Sequence, residues 1–167
     1  MAKKKMSPVL LAWMAGVIEM KGRMKHVANP LRKTAQLVLV VQSRHVVLVE
    51  RLCEMTGVQM RVQGAKVMEG KSRKGCAEHC PEPHVHVGPE LPETAVWAVT
   101  GAAAAVVLHN LLPYLCRQDG LPEWIDGVVT MLPKGGRGFT AVKNAVDRLA
   151  GLGWAVPEGL LPPPEDG

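Results

Sequence analysis

Aromatic side chains are scarce in this 167-residue chain, in which Phe, Trp and Tyr together make up 4% of the residues. Proteins that bind single-stranded nucleic acids stack the bases on aromatic side chains, so that mode of binding is not expected here. The chain has only four cysteines, but it is long enough to bury about two-thirds of its unfolded surface without needing disulfides or a metal to fold. A hydrophobic share of 47% excludes intrinsic disorder for most of the chain.

The chain also lacks a convincing export signal or membrane span. Lys3, Lys4 and Lys5 precede an apolar run at residues 9–18, but no small-residue cleavage site follows that run. A second apolar stretch, residues 94–112, is interrupted by polar residues and is better explained as a strand followed by a buried helix. We therefore expect a cytoplasmic protein with no membrane partner.

Two common kinds of enzyme motif are missing as well. The Gly-rich turn at residues 135–138 lies between two predicted helices and lacks the Lys-Ser/Thr pair of a nucleotide-binding loop. The chain offers no Ser-His-Asp or Cys-His arrangement for a nucleophilic mechanism.

Positive charge is concentrated in the first third of the chain. Residues 1–51 contain ten Lys or Arg and two acidic residues, a balance of +8, whereas residues 93–167 contain five and eight, a balance of −3. Such an uneven distribution is typical of a face that binds a polyanion. An acidic lipid surface, or a basic end that is merely solvated, is the alternative.

Hydrophobic periodicity predicts the element order α-β-β-α-β-β-α, followed by two further helices. The predicted helices lie at residues 8–20, 45–55, 102–112, 122–132 and 140–151, and the predicted strands at 23–27, 34–42, 58–63 and 95–100. This order indicates an α+β fold with a main domain at residues 1–132 and an irregular insert at 64–92. A C-terminal helical extension at 133–156 and a flexible tail at 157–167 would follow.

The insert is rich in Lys, Cys, His and Pro, and its segment RKGCAEHCPEPHVHV combines closely spaced cysteines and histidines. Thiolates and imidazoles are the ligands that Zn²⁺ prefers in structural sites. The predicted ligands of a structural zinc ion are Cys76, Cys80, His84 and His86. His79 is a substitute ligand or a partner of one. A disulfide between the two cysteines, or a His-rich surface loop with free thiols, is the alternative.

The first predicted helix, LAWMAGVIEMKGRM, resembles the motif helix of the LAGLIDADG homing endonuclease family. It has the Ala15 and Gly16 pair, an acidic residue at Glu19 and a glycine at Gly22. The segments LVLVVQSRHVVLVERLCEMTGV and VWAVTGAAAAVVLHNLLPYL look like the second strand and fourth strand of that family, each with the helix that follows it. The resemblance covers residues 8–132 apart from the insert.

The resemblance implies a saddle whose four-stranded antiparallel sheet lies over double-stranded DNA. Members with one motif form homodimers through the motif helix, and the dimer seam of this chain would then contain Ala12, Ala15 and Gly16. In active members, a carboxylate from each motif helix binds divalent metal that activates water against the phosphodiester, and Mg²⁺ would have that place here only if the chain cleaves DNA.

One position departs from the pattern of the family. With Ala15 and Gly16 aligned on the motif, Glu19 takes the sixth place and Lys21 the eighth, where the family has its metal-binding acid. A charged ammonium group has no lone pair and cannot bind Mg²⁺. The resemblance therefore implies a DNA-binding protein whose cleavage is lost, and it places Gln42 at the polar position on the floor of the site.

Basic residues in or next to the first two strands, and others in the insert, are the predicted phosphate contacts. They are Arg23, Lys25, Arg32, Lys33, Arg44, Lys71, Arg73 and Lys74. The second strand offers at most two polar residues on either side, so we expect salt-dependent binding with modest sequence selectivity. Three alternatives remain. The chain is an active endonuclease that uses Glu19, a repurposed transcriptional or structural DNA-binding protein, or a protein-interaction module that uses the apolar strand face.

Overall fold

The computed structural model describes residues 5–29, 31, 34–64, 66–71, 85–91, 93–132 and 136–160, with the backbone alone at 34, 66–71 and 85–91. The helices are α1 (Pro8–Lys21), α2 (Val46–Thr56), α3 (Gly101–Leu111), α4 (Leu121–Thr130) and α5 (Gly136–Gly151). The strands are β1 (Gly22–Asn29), β2 (Thr34–Ser43), β3 (Arg61–Gln63), β4 (Lys66–Lys71), β5 (Val85–Leu91) and β6 (Thr94–Thr100). Within this part of the chain, no helix is both long and apolar enough to cross a lipid bilayer.

The central sheet has the strand order β1-β2-β6-β3, and each pair of neighbours is antiparallel. Alternation along the two central strands sends one set of side chains into the core. These buried residues are Leu37, Leu39 and Val41 of β2 and Ala95, Trp97 and Val99 of β6. The predicted α+β fold with a four-stranded antiparallel sheet is confirmed.

The helices cover the side of the sheet to which these buried residues point. Helix α3 contacts β2, β6, α4 and α5, and its residues from Ala102 to Leu108 are all buried. A helix that is apolar on every side belongs in the interior, and the small alanine side chains let the sheet and the neighbouring helices come close. The opposite side of the sheet is left open.

The predicted irregular structure of the insert is wrong for β4 and β5, which form an antiparallel pair. These two strands form a separate two-stranded sheet, in which Lys66 pairs with Leu91. Gly88 and Pro89 hide the strand pattern of β5, because both residues are disfavoured in strands. Pairing with β4 compensates for that weak local preference.

The segment after α5 packs against the rest of the domain. The side chain of Asn110 exchanges two hydrogen bonds with the backbone of Ala155, at 2.7 and 3.0 Å, and the indole nitrogen of Trp154 donates to the Met55 carbonyl at 2.8 Å. Leu160 is buried, although it belongs to the segment predicted to be a flexible tail. Residues 161–167 of that segment lie outside the described residues.

Candidate nucleic-acid interface

The open side of the sheet carries the second set of alternating side chains. The strand register places them side by side, with Arg23 opposite Val40 and Val40 opposite Ala98. The full set is Arg23, Lys25 and Val27 of β1, Gln36, Val38, Val40 and Gln42 of β2, Thr94, Val96, Ala98 and Thr100 of β6, and Arg61 and Gln63 of β3. We call this surface the open face.

Positive charge lies at the margins of the open face. Arg23 and Lys25 are on the edge strand β1, and Arg61 is on the opposite edge strand β3. The sequences of β1, β2, β3 and β6 contain no Asp or Glu. The margins of the face are therefore basic, and no carboxylate on these strands offsets that charge.

A groove of about 600 Å³ crosses the open face at the end of α1. Its lining residues are Lys21, Arg23, Lys25, Val38, Val40, Gln42, Ser43, Arg44, His45 and Thr94. Four of the ten are lysines or arginines and none is acidic. Such a groove can attract phosphate groups, and its described residues offer no carboxylate to a hard cation.

Gln42 lies in this groove, where the family resemblance placed a polar residue. Its amide nitrogen donates to the side-chain oxygen of Gln63 at 3.0 Å and to the Thr94 hydroxyl at 2.7 Å. Gln42 therefore joins three neighbouring strands across the open face.

Glu19 and Lys21 serve different surfaces at the end of α1. Lys21 lines the groove. The Glu19 carboxylate instead accepts hydrogen bonds from the backbone N–H groups of Cys116 and Arg117, the latter at 3.4 Å, just after the short 3-10 helix Leu112–Tyr114. Glu19 thus links this segment to α1 by hydrogen bonds, and the sequence did not predict these contacts.

The hydrogen bond from the backbone of Cys116 is the main reason that the pKa of Glu19 is lowered, and a smaller desolvation effect opposes it. A hydrogen bond between the Cys116 side chain and Glu19, together with the negative charge of that carboxylate, raises the pKa of the Cys116 thiol. A lowered carboxyl pKa means that the ionised group stabilises the folded state above the unfolded pKa. That contribution disappears as the pH falls through the folded pKa.

We expect the stability difference between the wild type and Glu19→Gln to depend on pH. The wild type should be the more stable of the two at about pH 7, and this advantage should shrink as the solution is acidified through the carboxylate range. Urea midpoints measured at a series of pH values check this. Asp147→Asn, on the exposed side of α5, is the control for the loss of one carboxylate, and identical pH profiles for the two variants would contradict the role of Glu19.

The predicted dimer seam divides between two surfaces. Ala12 is exposed and Gly16 has open space where a side chain would begin, with no atom within 4 Å, but Ala15 is fully buried in the core of its own chain. Ala12 and Gly16 belong to an exposed stripe of α1 that also contains Val9, Trp13 and Met20, with exposed fractions of 76%, 37% and 85%. Their helical spacing to Gly16 was present in the sequence and was overlooked.

Several other predicted site residues lie outside the described residues. They are Arg32, Lys33, Arg73, Lys74, Cys76, His79, Cys80 and His84. Lys71 ends β4 and His86 lies in β5, but only their backbone is described. Among the residues whose side chains are described, no group of three or more His, Cys, Asp or Glu could hold a metal. The zinc site stays a prediction.

Arg61 is the basic residue of the open face that sequence reasoning missed. The alternation of residues 58–63 already placed it on the polar side of a strand, but the sequence did not show that β3 borders the same face as β1. His26 of β1 has the opposite orientation and stacks on Trp124 of α4, with ring centroids 5.5 Å apart. His26 is therefore not part of the open face.

Comparison with known proteins finds no matching family model and no matching curated protein. Similar solved structures include the homing endonuclease I-CvuI bound to its target in the presence of calcium, at 16% identity and a TM-score of 0.40, covering 89% of this chain and 97% of that one. Another is I-CvuI bound to the I-CreI target with magnesium and uncleaved DNA, at 17% identity and a TM-score of 0.35, with the same coverage. Neither similarity is high enough to establish a family or a function for this chain.

Proposed function

We propose that this chain binds duplex DNA on its open face, as a LAGLIDADG-type protein that no longer cleaves phosphodiesters. The observation that carries the proposal is the charge of that face: basic residues stand on both edge strands, and the four strands contain no acidic residue. The resemblance of three sequence segments to the family supports the same function. Sequence-independent contacts to phosphates would then supply most of the affinity.

The spacing of the basic margins agrees with a duplex as the ligand. Three inter-strand spacings separate β1 from β3, so the distance between these two edge strands is about 14 Å. The major groove of B-DNA is about 12 Å wide. Arg23 and Arg61 are therefore far enough apart to contact the two phosphate backbones that border one groove.

Loss of cleavage follows from the residues at the end of α1. Mg²⁺ requires oxygen ligands, and in the described part of the chain the groove has no carboxylate to offer, so its residues do not fit this metal. Lys21 occupies the groove where an acid would be needed. The other acid of the motif, Glu19, is held by backbone N–H groups.

The proposal is tested by measuring duplex retention at several salt concentrations and plasmid nicking in Mg²⁺ on the same sample. We expect affinity to fall linearly with salt on a log-log plot and the plasmid to stay intact. Nicking that disappears in Glu19→Gln would mean that the chain is an active endonuclease. Failure to bind duplex DNA even at low salt would overturn the proposed function.

We further propose a homodimer that forms through the exposed stripe of α1, which consists of Val9, Ala12, Trp13, Gly16 and Met20. An exposed apolar stripe with a glycine at its centre allows two helices to approach closely. A side chain at position 16 would keep the two helices apart, while the chain itself has room for it.

We expect Gly16→Leu to convert the dimer to a monomer without loss of folding. Sedimentation equilibrium over a range of protein concentrations measures the change. The matched control is Gly151→Leu, at a helical glycine that also has no atom within 4 Å of the added carbon. A wild-type chain that sediments as a monomer at all concentrations, or a Gly16→Leu variant that still dimerises, would contradict the seam.

The zinc site in the insert is also part of the proposal. Lys71 pairs with Val85 where β4 ends and β5 begins, and His86 follows Val85 in β5. Cys76, Cys80 and His84 belong to the part of the sequence between these two strands. The sequence holds these four potential ligands within eleven residues, and metal binding would offset the entropy of ordering them around the ion.

We expect one zinc ion per chain in protein purified without added metal, and none in Cys76→Ser/Cys80→Ser. Elemental analysis by plasma mass spectrometry measures both. Cys53→Ser removes a described cysteine that lies in α2 and serves as the control. A metal-free wild-type protein whose thiols are all titratable would contradict the site.

A further inference from the structure

We propose that the open face recognises the methyl groups of thymine, so that T-rich duplexes are the preferred targets of this chain. The inference rests on the proposed DNA binding and names the class of sequence that this binding favours. It starts from the centre of the open face, which is apolar where a DNA-reading surface usually carries hydrogen-bonding groups.

The apolar centre is formed by two neighbouring strands. Val38 and Val40 of β2 lie beside Val96 and Ala98 of β6, with Val40 directly opposite Ala98. All four side chains are half-buried. They form one continuous patch between the basic margins, and we call it the valine patch.

Of the base-pair edges in the major groove, only thymine offers an apolar group, its C5 methyl. A valine that covers guanine or cytosine would take polar atoms out of water without replacing their hydrogen bonds, which is unfavourable. The same valine against thymine buries a methyl group, which is favourable. Burial of the thymine methyl group and the cost of desolvating guanine or cytosine therefore both favour thymine opposite the valine patch.

Polar residues mark the two ends of this patch along β2. Gln36 and Gln42 lie on the same side of the strand as Val38 and Val40, six residues apart. That separation is about 20 Å, or about six base-pair steps. Glutamine can pair with adenine in the major groove, so Gln36 is compatible with the A·T pairs that thymine requires. Gln42 already donates both of its amide hydrogens, to Gln63 and Thr94, and marks the other end of the patch without such a pair.

The charge around the valine patch argues for a nucleic acid rather than a protein as its ligand. Arg23, Lys25 and Arg61 border the patch, and β1, β2, β3 and β6 contribute no acidic side chain. A protein partner would have to bring acids that match both margins, whereas every duplex has two negatively charged backbones.

The test compares two duplexes of about 24 base pairs, one of alternating A·T and one in which deoxyuridine replaces every thymidine. The two have the same charge and base pairing and differ only in the C5 methyl groups. We expect the thymidine duplex to bind about threefold more tightly for each methyl group in contact, with the same salt slope. Placing 5-methylcytosine in a G·C duplex should raise its affinity in the same way.

Val38→Ser/Val40→Ser should remove the preference for thymidine over deoxyuridine while leaving the salt slope unchanged. Val62→Ser is the control, because Val62 is exposed on β3 but alternates to the other side of the strand from Arg61. Equal, salt-dependent binding of the two duplexes by the wild type would overturn the methyl recognition alone. Failure to bind either duplex, as expected if the patch serves a protein, would overturn the proposed function as well.

Discussion

Replacement of Arg23 and Lys25 by glutamine should weaken duplex binding by about a hundredfold at about 0.1 M salt. Both side chains line the groove on the open face, and each would neutralise one phosphate. Loss of two phosphate contacts removes the release of about two counterions, so the slope of log affinity against log salt should become shallower by about two. Fluorescence anisotropy titrations at several salt concentrations measure the affinity and the slope together.

The matched control is Arg137→Gln/Lys143→Gln, which removes one arginine and one lysine from exposed positions of α5. It changes the net charge by the same amount but leaves the open face intact. We expect its salt slope to equal that of the wild type. If the two double variants lose affinity equally, the binding depends on net charge and not on the open face.

Truncation of Trp97 to alanine should destabilise the domain by about 4 kcal/mol. Trp97 is fully buried in β6, where it packs beneath α2. Its indole nitrogen donates a hydrogen bond of 2.9 Å to the Thr56 hydroxyl, which in turn donates to the Leu52 carbonyl at 2.8 Å. Urea unfolding monitored by far-ultraviolet circular dichroism gives the free energy.

A double-mutant cycle separates the hydrogen bond of Trp97 from its packing. Thr56→Val keeps the volume of the side chain but leaves the indole N–H buried without a partner, at a cost of about 2 kcal/mol. In a Trp97→Phe background there is no N–H to satisfy, so the same change should cost less than about 1 kcal/mol. Equal costs in the two backgrounds would show that the hydrogen bond contributes nothing measurable.

Much of the fold follows from local patterns. The β-branched run of β2 and the alternation of β6 predicted both central strands to within one residue at each end. The apolar helix α3 was predicted with the same accuracy. The start of helix α5 was predicted less accurately. Gly136 and Gly138 suggested a turn and a helix that begins at residue 140, but the helix begins at Gly136.

The candidate site was predicted in part. The sequence predicted Arg23 and Lys25 as phosphate contacts, and the family resemblance implied Gln42 at the floor of the site. The structure places all three in the lining of the groove. Arg44 was expected on the same grounds and also lines it. Which strand would form the opposite margin could not be predicted, because β3 and β1 are far apart in sequence and become edges of one sheet only through β2 and β6.

By itself, the sequence determined the α+β class, the order of the helices and strands outside the insert, and the concentration of basic residues near the beginning of the chain. These properties depend on residue type and on periods of 2 or 3.6 residues, which neighbouring residues alone define. Only the tertiary structure decided that Glu19 accepts hydrogen bonds from Cys116 and Arg117, and that Ala15 is buried in its own core. The tertiary structure likewise decided that valines form the centre of the open face, because such relations depend on strand register and on contacts between residues that are distant in the chain.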